Sequence, residues 1–374
     1  MQTDYGKREA FAVSKIKEAI PSKFKANMVS QEGLFAEIFE CNEVMPKHYL
    51  ACTIDGVGTK VILAIAMGKY DTIGIDCVAM NSNDLATMPK AKPFMFVDYL
   101  ACQNKIEELG ITGDIIKGVS KGLEMADCGK IARNSVSLQF GKGETASLDE
   151  LISSPKAGYG FDIAGSMTGF VEKDSLNLKP KEGMQIIALK SSGFHSNGYT
   201  AARHYMLNGD FEEREEFRNA YKGSFSLTDT FSDYDKRTVG EALLEPTRIY
   251  NKAMFNIGSE FNALGVNNTG YGLKNLNRQG QYLDFVVKEP FEPLEIFKAF
   301  QKESQFSDER MYETFNMGQG FFIIANKEDV EGILKIAKKQ GEEAKLIGEI
   351  KKGPSKENRV ILEKNGKKLA FEGY

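Results

Sequence analysis

Short apolar runs alternate with amphipathic segments along most of the 374-residue chain. Runs rich in branched and aromatic residues predict strands, whereas apolar positions three or four residues apart predict helices. The predicted strands lie at 48–54, 93–102, 135–140, 161–171, 184–190, 282–287 and 320–325. The predicted helices lie at 58–68, 71–88, 112–126, 199–207, 241–258, 293–303 and 327–340, and the stretch before Phe35 is also expected to be mainly helical. Interleaved strands and helices predict the α/β or α+β class.

A polar stretch at 172–183 divides these elements into two series. It contains a proline and closes on a glycine, which is typical of a connection between domains. A chain of this length is long for one domain and comfortable for two. We therefore expect an N-terminal domain at 1–172 and a C-terminal domain at 173–374.

Composition excludes several classes of function. The formal net charge is -4 with no basic stripe, which gives no support to nucleic-acid binding. The N-terminus has no signal-peptide pattern, and no apolar run reaches the ~20 residues of a membrane span. The five cysteines are widely spaced without a CxxC motif, which suits reduced thiols. We expect a cytoplasmic protein that binds neither nucleic acid nor membrane.

The strongest local motif is Asp-Gly-Val-Gly-Thr-Lys at 55–60, between a predicted strand and a predicted helix. Glycines let backbone N–H groups turn toward a ligand, while the helix N-terminus and Lys60 add positive potential. This combination suits phosphate, although the spacing matches neither a Walker A sequence nor a dinucleotide fingerprint. The alternative is a tight turn that needs two glycines.

Carboxylates form the second group of candidates. Asp76 and Asp84 lie in the mostly apolar helix predicted at 71–88, where an unpaired buried carboxylate would be costly. Metal binding is one solution and a surface position is the other. If Asp55 lies near Asp84 beside a nucleoside triphosphate, Mg²⁺ is the natural counter-ion. Glu144, expected at a strand-to-helix turn, either caps the helix or joins the metal or substrate shell.

Three loops carry further polar candidates. The segment 191–198, Ser-Ser-Gly-Phe-His-Ser-Asn-Gly, contains one of the three histidines of the chain. His195 is either a solvated loop residue or part of a loop that binds an anion or substrate. Arg248, after Pro246 at a predicted helix start, could clamp a phosphate. The glycine turns at 267–272 and 315–320 are weak signals individually.

Together and in order, these motifs resemble the family of phosphoribosylformylglycinamidine cyclo-ligases, the aminoimidazole ribonucleotide synthetases, and archaeal-type members most of all. The matching segments between about residues 48 and 325 are TIDGVGTK, GIDCVAMNSNDL, FVDYLA, GETA, FDIAG, SSGFHSNG, LLEPTRIY, FEPLEIF and FNMGQGF. The resemblance implies ATP-driven ring closure of formylglycinamidine ribonucleotide in purine biosynthesis, with ADP and phosphate released. It also implies a two-domain fold, in which the N-terminal sheet forms a barrel across a homodimer and the C-terminal domain is α/β.

The resemblance further implies ATP, Mg²⁺ and a set of site residues. ATP and its phosphates are assigned to Asp55, Gly56, Gly58, Thr59, Lys60 and Asp98. The metal is assigned to Asp55, Asp84 and Glu144. Catalysis is assigned to His195, Lys60 and Asp84. The ribonucleotide is assigned to Ser192, Ser196, Asn197, Arg248, Thr269 and Gly270.

This chain departs from the family pattern at several places. The usual His-Ile-Thr-Gly-Gly-Gly turn is Asn-Asn-Thr-Gly-Tyr-Gly at 267–272, so a histidine is absent and a tyrosine replaces a glycine. The lead-in to Glu144 is longer than in the family, and 90–93 reads Lys-Ala-Lys-Pro in place of Gly-Ala-Glu-Pro. Two alternatives therefore stand beside the cyclo-ligase: a paralogous ATP-dependent enzyme acting on another amide or phosphoacceptor, and a non-catalytic nucleotide-binding subunit.

Overall fold

The computed structural model describes residues 2–29, 31, 33–129, 137–364 and 366–373. Within them, the helices are α1 Gln2–Ala19, α2 Val61–Met67, α3 Asp71–Ala86, α4 Asn104–Glu108, α5 Ile111–Ala126, α6 Tyr199–Met206, α7 Glu215–Arg218, α8 Val239–Leu243, α9 Asn251–Glu260, α10 Glu295–Ser304, α11 Asp308–Thr314 and α12 Val330–Lys339. Short 3₁₀ helices lie at Ser22–Lys25, Gly58–Lys60, Lys173–Leu176, Gly272–Arg278 and Lys327–Asp329.

The strands are β1 Met28–Val29, β2 Glu37–Glu40, β3 His48–Gly56, β4 Lys92–Cys102, β5 Gln139–Ser147, β6 Phe161–Glu172, β7 Gln185–Lys190, β8 Ala263–Asn267, β9 Leu283–Val287, β10 Gln319–Ala325, β11 Ala344–Lys352, β12 Arg359–Lys364 and β13 Lys367–Glu372. They form two sheets, each built from strands of one half of the chain. The strand predicted at 135–140 begins outside the described residues.

The first sheet has the strand order β1-β2-β3-β6-β4-β5, and among these strands the β4–β5 pair is parallel. Its inner face is apolar, because alternate residues along β6 from Phe161 to Val171 are buried. Helix α3 covers this face, and α5 packs against α3. The outer face also carries apolar side chains, since Ile54 is 78% exposed and Tyr99 is 46% exposed.

Helices α3 and α5 approach each other closely. A Cβ atom on Gly118 would lie 1.9 Å from the carbonyl oxygen of Asp71, and one on Gly74 would lie 2.1 Å from that of Ile115. Because a side chain would separate the two backbones, these glycines let α3 lie between α5 and the sheet. Nearly every residue of α3 is buried as a result.

The second sheet has the strand order β13-β12-β9-β11-β7-β10-β8, and the described pair β9–β12 is parallel. Central strands β7 and β10 are apolar on both faces, as expected for strands covered on both sides. Ile187 and Leu189 belong to the apolar cluster that includes residues of α9 and α12. Ile186 and Ala188 belong to the larger cluster that continues into the first half.

Three predicted elements differ from the structure. The strand predicted at 135–140 corresponds to β5, which begins at Gln139 and continues to Ser147. The helix predicted at 241–258 is two helices, α8 and α9, separated by an irregular segment at 244–250. Glu144 lies inside strand β5 and not at a strand-to-helix turn, because 139–147 pairs in parallel with β4. No helix in the described part of the chain has the length and apolarity that a membrane crossing requires.

Candidate active site

Polar segments from both halves of the chain meet beside the carboxyl end of β3 and the buried helix α3. Three come from the second half: the serine loop (191–198), the proline loop (244–250) and the glycine turn (267–272). Each contacts a polar side chain of the first half, through Lys60, Asp76 or Asp84. The sequence motifs therefore converge although they lie far apart along the chain.

Lys60 is buried in the centre of this convergence. Its Nζ lies 2.7 Å from Oδ2 of Asp76 and donates to the carbonyl oxygens of Glu245 at 2.7 Å and His195 at 3.2 Å. An ammonium group has three donors, so all of them are used inside the protein. Burial lowers the pKa of Lys60, and the Asp76 charge opposes that shift. In this geometry Lys60 joins the two halves through partners within the protein, and its expected contact with phosphate stays a prediction.

Buried polar side chains of α3 hold the proline loop. Oδ1 of Asp76 accepts hydrogen bonds from both the N–H and the hydroxyl of Thr247, each at 2.7 Å. Asn83 donates to the carbonyl oxygen of Arg248 at 2.7 Å and accepts from the N–H of Tyr250 at 2.9 Å. These bonds satisfy backbone groups of the proline loop in place of helical bonds. Pro246, which has no N–H to donate, also interrupts the predicted helix here.

Three carboxylates lie on the inner side of the first sheet. Asp55 and Asp98 both pair with Gly165 of the strand between them, so both project from the same face. Asp84, on α3, accepts a hydrogen bond of 2.8 Å from Asn267. This hydrogen bond attaches the glycine turn to Asp84.

Burial disfavours the charged form of these carboxylates and so raises their pKa values. It raises the pKa of Asp84 to about 7, with the Asn267 hydrogen bond opposing the rise and the Asp55 charge adding to it. Burial also raises the pKa of Asp98 to about 6 and the pKa of Asp55, where the Gly56 N–H opposes the rise. Among the described residues, Oδ2 of Asp98 has no hydrogen-bond partner. A cation would provide the missing counter-charge.

Asp55 and Asp84 are suitable ligands for magnesium, because Mg²⁺ prefers hard oxygen ligands. Glu144 does not join them within one chain. It pairs in register with Tyr99, on the face opposite Asp98, and its carboxylate lies 3.1 Å from Lys142. The described residues contain no group of three or more His, Cys, Asp or Glu side chains placed to hold a metal. The remaining ligands would have to be water or substrate oxygens.

His195 is not a solvated loop residue, because it is only 3% exposed. Its Nε2 accepts a hydrogen bond of 3.3 Å from the N–H of Ser192. Burial lowers the pKa of His195 to about 3, and the charges of Lys60 and Arg248 add to this effect. The imidazole is thus neutral at physiological pH and holds the serine loop through Ser192, and its expected part in catalysis stays a prediction.

We expect His195 to make the protein less stable in acid. Below pH 6.5 the unfolded histidine binds a proton that the folded one does not bind until about pH 3, so stability present above pH 6.5 is lost as the pH falls. The loss amounts to about 2 kcal/mol between pH 7 and pH 5. Urea unfolding of the wild type and His195→Gln at both pH values measures it. An equal pH dependence in the two proteins would contradict the buried neutral imidazole.

Partly exposed polar residues surround the point of convergence. The Ser196 and Thr247 hydroxyls lie 3.0 Å apart, and the position of a Cβ on Gly270 is 3.7 Å from Oδ1 of Asn197. Arg248 lies 3.7 Å from Glu342, which orients its guanidinium. Contacts between the loops join Ser192 to Pro246, Ser196 to Thr247 and Asn197 to Gly270. Arg248 and Thr269, also expected to bind substrate, are the chain neighbours of Thr247 and Gly270.

The sequence indicated Asp76 only as a metal ligand or a surface residue, and it did not reveal which side chains hold these loops in place. Asp76 and Asn83 anchor the proline loop, and Asn81 bonds to the backbone of Asp55 at 3.2 Å and to Thr53. The available signal was the number of polar residues within an otherwise apolar helix. Such residues, when buried, require specific partners.

Comparison with known proteins agrees with this architecture. The family model described as AIR synthase related protein, N-terminal domain, matches residues 38–171, and the corresponding C-terminal domain matches residues 181–361. Among solved structures, the hydrogenase maturation protein HypE in complex with ATP has a TM-score of 0.52 at 15% identity, covering 86% of this chain and 84% of that one. Fold and site together define a two-domain protein with an AIR synthase-like fold.

Curated relatives are closer in sequence. The phosphoribosylformylglycinamidine cyclo-ligase of Clostridium acetobutylicum is 35% identical over 350 residues, covering 92% of this chain and 94% of the relative. That of Methanosarcina acetivorans is 37% identical over 334 residues, covering 88% and 87%. The chain belongs to the phosphoribosylformylglycinamidine cyclo-ligase family.

Proposed function

We propose that this protein catalyses the ATP-dependent ring closure of formylglycinamidine ribonucleotide to aminoimidazole ribonucleotide, a step of purine biosynthesis that releases ADP and phosphate. The observation that carries the proposal is the hydrogen bond between Asn267 and Asp84. It places the glycine turn of the second half directly beside the carboxylates of the first. The two reactants can therefore meet where the halves join.

The first half supplies the nucleotide side of the proposed site. Exposed Gly58 and Thr59 follow the end of β3, where their backbone N–H groups would face phosphate oxygens. Asp55 and Asp84 would hold Mg²⁺, and Asp98 lies on the same sheet face as Asp55. When bound, the ion neutralises charge that develops on the transferred phosphoryl group. HypE, a protein of similar fold, has been solved in complex with ATP, which supports ATP binding by this chain.

The second half supplies the ribonucleotide side. Ser196, Asn197 and Arg248 lie partly exposed beside the convergence, where they would orient the substrate. In the proposed reaction the formyl oxygen attacks the γ-phosphorus and ADP leaves. An amidine nitrogen then attacks the activated carbon, and phosphate departs as that nitrogen loses a proton. This chemistry depends mainly on positioning and charge neutralisation, which agrees with a neutral, buried His195.

We also propose a homodimer, a boundary between domains near residues 172 and 173, and a cytoplasmic location. The outer face of the first sheet presents exposed apolar residues, Ile54 and Tyr99, that a second copy would cover. Each half of the chain builds its own sheet, which supports the division. The described cysteines are all free, as is usual in a reducing compartment.

Genetic rescue tests the proposed function. We expect the gene to restore growth without purines to a host that lacks its own cyclo-ligase. The gene carrying Asp84→Asn should fail, whereas Asp71→Asn, the same change at an exposed position of α3, should succeed. Absence of rescue by wild-type protein that accumulates in folded form would argue against the proposal.

A further inference from the structure

The glycine turn connects the carboxylates to the serine loop. Asn267 donates to Asp84 at one end of the turn, and Asn268 donates to the carbonyl oxygen of Gln319 at 2.6 Å. Farther along, Gly270 faces Asn197 of the serine loop. The next residue, Tyr271, therefore lies at the border of the site where both reactants are proposed to bind.

Tyr271 has an unusual backbone conformation. Its φ is +72°, in the left-handed region that bulky residues rarely adopt. Five other described non-glycine residues have positive φ: Lys90, His195, Tyr282, Gln305 and Met317. Two of these, His195 and Met317, lie in the serine loop and in the 315–320 segment that hydrogen-bonds to it. Such conformations persist where surrounding structure enforces them, often at ligand-binding positions.

Neighbouring contacts enforce the conformation of Tyr271. The Asn275 side chain donates to the carbonyl oxygens of Gly270 at 2.9 Å and Gly272 at 2.8 Å, on either side of the tyrosine. A Cβ on Gly272 would lie 2.0 Å from the carbonyl oxygen of Tyr312, so the turn fits closely against α11. The Tyr271 side chain is nevertheless 41% exposed. A firmly held turn thus carries a partly exposed tyrosine directly after Gly270, the residue that faces the serine loop.

We propose that Tyr271 contacts the ribonucleotide directly and determines how tightly it binds. An aromatic ring on a fixed backbone loses little conformational freedom when it orders against a ligand. Its face attracts cations, and the substrate carries a planar amidine group that is cationic when protonated. ATP carries no such cation, so the cation–π contribution falls on the ribonucleotide. This inference rests on the proposed function.

The test compares two tyrosines with the same backbone conformation. Tyr282 has a φ of +61° and is 52% exposed, but it lies in the turn before β9 and hydrogen-bonds to the carbonyl oxygen of Lys356. We expect Tyr271→Gly to raise the KM for the ribonucleotide about tenfold while the KM for ATP changes less than about twofold. Tyr282→Gly, the matched control, should leave both values near wild type, and Tyr271→Phe, which keeps the aromatic ring, should raise the ribonucleotide KM less than Tyr271→Gly does. The melting temperature of Tyr271→Gly should not fall, because glycine adopts positive φ freely.

An unchanged ribonucleotide KM in Tyr271→Gly would overturn the inference, as would an equal rise in Tyr282→Gly or a parallel rise in the KM for ATP. Each of these outcomes leaves the wild-type reaction intact and so spares the proposed function. Absence of ribonucleotide-dependent ADP release from the wild-type protein would instead overturn the proposed function, and the inference with it.

Discussion

Lys60→Met is expected to lower the free energy of unfolding by about 3–5 kcal/mol, because it leaves a buried carboxylate without its partner. Asp76 would retain Thr247 but lose the ammonium group 2.7 Å away. The carbonyl oxygens of His195 and Glu245 would lose a donor at the same time. Urea unfolding followed by circular dichroism measures the change.

The chain offers a matched control for this ion pair. Lys69 forms a pair of 2.9 Å with Asp71, but both side chains are about half exposed. Exposed pairs contribute little, so Lys69→Met should cost less than about 1 kcal/mol. The double variant Lys60→Met/Asp76→Leu should recover part of the loss, since it leaves neither charge of this buried pair without its partner. Equal costs for Lys60→Met and Lys69→Met would show that Lys60 does not join the two halves.

Asp84→Asn is expected to reduce turnover about 100-fold or more without weakening the fold, since electrostatic groups at a reacting centre typically contribute that much. Burial raises the pKa of Asp84 to about 7, so its ionised form is disfavoured in the folded protein. Ionised Asp84 therefore costs stability as the pH rises toward 7, and removing the charge removes that cost. We infer that the protein retains the charge of Asp84, despite this cost in stability, because turnover requires it.

Two measurements on the same variants check this expectation. Turnover titrated with Mg²⁺ should show the loss in Asp84→Asn but not in Asp71→Asn, which alters an exposed carboxylate of the same helix. Thermal unfolding should leave Asp84→Asn at least as stable as the wild type. If Asp84→Asn turned over as fast as the wild type at limiting Mg²⁺, Asp84 would have no metal role.

Local pattern predicted much of the fold. The strand expected at 161–171 is β6 to within one residue, and that at 184–190 is β7 to within one residue, since both consist of regularly buried branched and aromatic residues. The interruption of the helix expected at 241–258 depends on Asp76 and Asn83. Pro246 was a local signal of this interruption, but no local pattern could reveal partners so distant in the chain.

The candidate site, like the fold, was predictable in part from local sequence. The motifs at 55–60 and 191–198 identified the segments that meet, because glycine and polar clusters between elements are local features. The direction in which each side chain points depends on contacts that are distant in the chain. Lys60 is buried because Asp76 and two carbonyl groups surround its ammonium group. Glu144 lies on the outer face because of the register between β5 and β4.

The most direct test of the account is to incubate the purified protein with ATP, Mg²⁺ and formylglycinamidine ribonucleotide and to measure both products. We expect aminoimidazole ribonucleotide and ADP in equal amounts, with both lost in Asp84→Asn and retained in Asp71→Asn. ADP release without the aminoimidazole product, or no reaction by folded protein that still binds ATP, would contradict the assignment to ring closure.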